Sequence, residues 1–116
     1  HFGAPQCRKR LLLIGTRAST YIAPRKARRS YPTTVRQALA SLGPPNGLNS
    51  HSLHHAEARV YRKHTPSELD RPAHAVVSGV HGCPGGANTL RLDDGSVRYF
   101  TCRELARLQT LPDSFV

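Results

Sequence analysis

One hundred and sixteen residues allow one domain or a piece of a larger one, with a core that is feasible but marginal. Seventeen Lys+Arg against seven Asp+Glu leave a net charge of +10, and a hydrophobic fraction of 38% is too high for a wholly disordered basic tail. No apolar run exceeds the four residues from Leu11 to Ile14, so the sequence shows neither a transmembrane helix nor a secretory signal. Opening on His1 and not Met, the chain is expected to be a fragment.

Taken in chain order, Leu11-Leu12-Leu13-Ile14 before Gly15 reads as a strand buried on both faces, one strand of a sheet whose remainder lies elsewhere. Residues 17–32 are basic and aperiodic, a linker or exposed loop. Thr34 and Gln37 make a capping-box pair, and Val35, Ala38, Leu39 and Leu42 follow at helical spacing. Gly43 then offers a left-handed exit, and Pro44-Pro45 forbid continuation. Residues 44–70 read mostly as loop, with a short helical turn near His54 to Tyr61. A strand is expected over Ala73 to Ser78, then a glycine-rich loop from Gly79 to Asn88. Leu90 to Leu92 and Val97 to Phe100 flank Asp93-Asp94-Gly95-Ser96, a hairpin signal. The last helix opens on a second capping box, Thr101 with Glu104, and Phe100 and Leu105 stand at the positions of a hydrophobic staple.

The charge is one-sided. Residues 1–56 hold nine Lys/Arg and no acid, whereas residues 57–116 hold eight Lys/Arg and all seven acids. Such a field suits a polyanion, with nucleic acid ahead of an anionic membrane because no basic amphipathic helix is visible. A solvated basic face with no specific partner is the plain alternative. Cys7, Cys83 and Cys102 form no CxxC pair, which points to a reducing, cytoplasmic setting. His51, His54, His55 and His64 lack nearby cysteines with zinc spacing, so they read as solvated loop histidines and no metal is expected. In extended chain Arg8 and Arg10 emerge on the same side, two forks matched to phosphate or to a base edge. Equally, they suit a basic strand end that neutralises a neighbouring carboxylate.

His1-Phe2-Gly3-Ala4-Pro5-Gln6-Cys7-Arg8-Lys9-Arg10 and the following Leu11 to Gly15 resemble the aromatic-G-x-P-Q-x-R-x-R-hydrophobic-G motif of DNA cytosine-5 methyltransferases. Thr101-Cys102-Arg103-Glu104-Leu105-Ala106-Arg107-Leu108-Gln109, running on to Pro112-Asp113-Ser114-Phe115, resembles that family's T-x-R-E-x-A-R-L-Q-x-x-P-D-x-F motif. The family places its variable target recognition domain between the two. The resemblance implies an α+β chain in three parts. Residues 1–20 would end the catalytic-domain sheet, 21–100 would form the target recognition domain, and 101–116 would carry the terminal helix motif. It implies double-stranded DNA as partner, in a bacterial-type cytoplasm and close to the nucleoid. Arg10 would reach the extruded cytosine, and Arg8 would support it on the DNA side. Gln6, Thr101, Arg103, Glu104 and Arg107 would be structural. Ser78, Gly79, His81, Gly82 and Asn88 would belong to a recognition loop in the major groove, where His81 and Asn88 could present donors or acceptors to base edges. A plain connector is the other reading of that loop.

Departures from the family pattern are equally specific. Ala75-Val76-Val77 stands where many members carry a Thr-Leu or Thr-Ile dyad, and Cys102 replaces a frequent Pro. The family's nucleophile lies in a Pro-Cys dipeptide, but Cys83-Pro84 has the reverse order. No Glu-Asn-Val or glycine-rich cofactor loop is present. The complete family enzyme uses S-adenosylmethionine to methylate carbon 5 of cytosine. This chain alone is expected to bind no cofactor and to be inactive, unless a second chain supplies the missing half. A stand-alone basic nucleic-acid-binding module is the competing expectation.

Overall fold

The computed structural model describes residues 3–15, 17, 33–53, 58, 65–77 and 88–115. Their elements in order are β1 (Gln6–Cys7), α1 (Val35–Leu39), β2 (Ser67–Glu68), β3 (Ala73–His74), β4 (Thr89–Arg91), β5 (Val97–Tyr99) and α2 (Cys102–Leu108). They form a small mixed α+β unit with two sheets and two helices. β1 pairs in parallel with β3, Gln6 opposite Ala73 and Cys7 opposite His74. In the second sheet β4 is central, parallel to β2 and antiparallel to β5.

The hairpin forms because Asp93-Asp94-Gly95 closes a three-residue loop. Gly95 N–H donates to Leu92 O at 3.0 Å, and Leu92 N–H to Ser96 O at 2.9 Å. Gly95 sits at φ +84°, the left-handed bulge position that this loop length requires. Asp94 accepts from the backbone N–H and hydroxyl of Ser96, which tightens the turn.

Both helices start as their caps dictate. Thr34 Oγ1 accepts from Gln37 N–H while Gln37 Oε1 accepts from Thr34 N–H. The next two N–H groups of α1, which have no intrahelical acceptor, donate to Arg71 O (Val35, 3.0 Å) and Leu69 O (Arg36, 2.8 Å). The turn between β2 and β3 therefore serves as a tertiary cap. The helix is shorter than its pattern, ending at Leu39. Leu42 follows in a turn, and Gly43 provides the left-handed exit at φ +72°. In α2, Thr101 Oγ1 accepts from Glu104 N–H, Glu104 Oε2 accepts from Thr101 N–H, and Arg103 N–H donates to Ser50 O.

The core is the cluster of Val35, Ala73, Leu90, Phe100 and Leu108, with Leu39, Val76, Leu92 and Leu105 among the half-buried residues packed on it. Each large apolar side chain removed from water here contributes about 1.5–3 kcal/mol. Every element except β1 and β2 sends a buried apolar residue, or its flanking residue, into it. β1 is anchored by Gln6, whose side-chain N–H donates to Leu108 O at 3.0 Å across 102 residues of sequence.

The strand expected at Leu11–Ile14 is not where the ladder forms. Pairing in this segment stops at Cys7, and Leu11, Leu12, Leu13 and Ile14 are 86, 70, 86 and 49% exposed. The reason is geometric: β3 offers ladder positions only opposite Gln6 and Cys7, and an apolar run becomes a strand only beside a second backbone. The strand expected over 73–78 is likewise cut to Ala73–His74.

Candidate nucleic-acid interface

Consider first the acids. Six carboxylates fall in the described residues, and each is already committed. Asp70 and Asp93 both accept from Arg36, at 2.7 Å each, and Glu68 lies 3.2 Å from Arg71. Asp94 is held by Ser96, Glu104 by Arg98, and Asp113 by Arg107. The Arg36 guanidinium holds Asp70 and Asp93 below the usual carboxylate range, chiefly through its hydrogen bonds, and is itself pushed upward by them. Arg107 lowers Asp113 in the same way, and the Ser96 hydrogen bonds lower Asp94.

Among the described residues no carboxylate is left for the arm that leaves β1. Arg8, Lys9, Arg10 and Arg17 are all exposed, and among the described residues none has an ion-pair partner. Arg10 Nη1 donates to Lys9 O at 2.6 Å, and the rest of its exposed fork has no acceptor among the described residues. Of the two sequence readings of this arginine pair, neutralising a neighbouring carboxylate has no acceptor among the described residues.

The α2 motif is a hub of structural contacts. Glu104, 2% exposed, receives a bidentate fork from Arg98 with both N···O distances 2.7 Å. Arg103 donates to Asn49 O and Phe115 O, each at 2.8 Å, so it ties loop 46–51 and the C-terminal segment to the helix. Arg107 joins Asp113 to Ser41 Oγ, bridging α2 to the end of α1. Thr101, beyond capping, meets His51 Nδ1 at 2.8 Å.

His51 corrects the reading of solvated histidines: it is buried, with Nε2 3.3 Å from Gly43 O. A carbonyl only accepts, so Nε2 donates there, while Nδ1 shares the second hydrogen bond with the Thr101 hydroxyl. Loop 46–51 is thereby stitched to the start of α2. His54, His55 and His64 lie outside the described residues. Among the described residues no three His, Cys, Asp or Glu side chains gather as a metal site.

Asn88 is also placed differently from the expectation of base-edge contact. Its Nδ2 donates to Val77 O at 2.9 Å and its Oδ1 accepts from Val77 N–H at 3.3 Å. With both ends of the amide engaged by one backbone unit, Asn88 acts as a clamp across residues 77 and 88. Ser78, Gly79, His81 and Gly82 lie outside the described residues. The buried Arg98–Glu104 pair and the Arg36 bridge escaped the sequence reading, because neither partner choice follows from local spacing. A basic residue three positions before a helix N-cap that carries Glu at N3 was the available signal for Arg98.

Among the described residues no helix is long and apolar enough to cross a membrane. The chain matches no protein-family model, no curated protein and no solved structure.

Proposed function

We propose that this chain is the DNA-engaging, target-recognition part of a DNA cytosine-5 methyltransferase. The observation that carries the reading is the segregation of charge just described. Every described carboxylate is engaged within the α+β unit, while Arg8, Lys9, Arg10 and Arg17 stand exposed with no acid partner among the described residues. Such basic charge attracts a phosphate backbone and releases its counterions on binding. The family resemblance adds the assignment of Arg10 to the extruded cytosine and Arg8 to its DNA-side support. In the parent reaction the methyl group moves from S-adenosylmethionine to carbon 5 of cytosine, after a cysteine thiolate adds to carbon 6. Neither the nucleophile's Pro-Cys nor the cofactor loop occurs in this sequence, so the chain's own contribution is DNA binding, and the cytoplasm is its proposed setting.

A split enzyme is favoured over a stand-alone module by Leu11–Ile14, an exposed apolar run that water does not favour and that a neighbouring strand of a second chain would cover. The test is complementation. The purified chain with duplex DNA and S-adenosylmethionine should yield no methylated cytosine, and mixing it with a chain that holds Pro-Cys and the cofactor loop should restore methylation. Methylation by the chain alone contradicts the assignment of roles, and autonomous DNA binding with no rescue selects the module.

A further inference from the structure

A cavity of about 220 Å³ lies between the end of α1, loop 46–51 and α2, with Ser41, Asn46, Asn49, Arg103, Arg107 and Asp113 on its walls. We propose that it binds a phosphate-class oxyanion.

Among the described residues, several donors on its walls have no protein acceptor. Arg103 is only 4% exposed and uses Nε and Nη1 on the Asn49 and Phe115 carbonyls. Its Nη2 has no acceptor among the described residues. Asp113 feels the Arg103 charge, but both of its carboxylate oxygens are held by Arg107 and none bonds to Arg103. Asn46 Oδ1 accepts from Leu48 N–H, and among the described residues neither its Nδ2 nor the Asn49 amide, both exposed on the wall, has a protein partner. Ser41 Oγ accepts from Arg107, so its proton is also available. Against two arginines stands one carboxylate, Asp113, and Arg107 already engages both of its oxygens. Free donors around a net positive charge select a ligand made almost wholly of acceptors. At about 30 Å³ per water, the volume holds a tetrahedral oxyanion with water beside it.

The site is separate from the arm at Arg8–Arg10, so it stands or falls independently of the DNA reading. Titration calorimetry of the full chain with inorganic phosphate, against a chloride control, tests it. Three variants give signed expectations. Asn49 lies at φ +49°, so N49G keeps the backbone comfortable and removes only the amide; phosphate should bind about fivefold more weakly. R103K, which replaces the fork with a point charge, should weaken it further. D113N removes the opposing carboxylate and frees Arg107, so binding should tighten severalfold. A merely damaged cavity would not tighten. Absence of phosphate binding, or affinity that N49G and D113N leave unchanged, overturns the proposal. With binding established, displacement of phosphate by duplex DNA assigns the ligand to the nucleic-acid backbone. Retention of phosphate in the presence of duplex assigns it to the free anion.

Discussion

The hairpin with α2 and the arm from Arg8 to Gly15 are built on opposite terms. Around α2, polar groups close on one another: Thr101 with Glu104, Glu104 with Arg98, Thr101 with His51, Arg107 with Asp113. Along the arm, three basic residues and four large apolar ones face solvent together. The first region is closed largely by its own contacts, whereas the second leaves its charge and apolar surface to solvent. On the proposed reading, that uncovered segment is the part a partner would complete.

The contrast breaks most visibly at Glu104. E104A leaves Arg98 as a mostly buried, unpaired cation and removes half of the capping box, so denaturant unfolding should show a loss of about 3–5 kcal/mol. An E104A protein as stable as the parent would mean the α2 hub is not what holds the unit. Next comes a matched pair of leucine truncations. L90A, in the fully buried centre of the second sheet, should cost about 2–5 kcal/mol, whereas L12A on the arm should stay within about 0.5 kcal/mol. Equal costs would place the arm in the core.

How far these regions were legible in the sequence follows the range of the interactions. The two capping boxes and the Gly95 turn are settled within four residues, and they form as the residue types demand. Leu11–Ile14 forms no strand here because strand formation needs a partner, and the ladder runs only as far as β3 allows. His51 was misjudged for the same reason: its burial depends on Thr101, fifty residues on. Asn88 looked like a base reader because an amide suits that role, but Val77 already occupies both of its polar ends. Arg8 and Arg10 were recognisable as candidates, while their lack of a carboxylate partner emerged only once the other acids had been placed.

Smaller effects sharpen the same division. T101A removes the cap of α2 and the hydroxyl that meets His51, and should lower stability by about 0.5–2 kcal/mol in the same unfolding assay. Acid should act through the carboxylates that arginines hold low. Asp70, Asp93 and Asp113 stay ionised in the folded chain to lower pH than in the unfolded one, so their contribution is complete above the unfolded value near about 3.9. It disappears as pH falls through the lowered folded values. R36A should therefore flatten the stability loss below about pH 4, and an unchanged acid limb would show that the Arg36 bridge contributes nothing.

The most direct measurement is duplex DNA affinity as a function of salt, for the parent chain and for R8A, R10A and the double variant. The parent should bind with log K falling linearly against log salt, and each arginine removed should reduce the slope by about 1 while leaving the unfolding curve unchanged. Binding that is insensitive to salt, or a slope that survives the double substitution, would contradict the assignment of the arm to DNA.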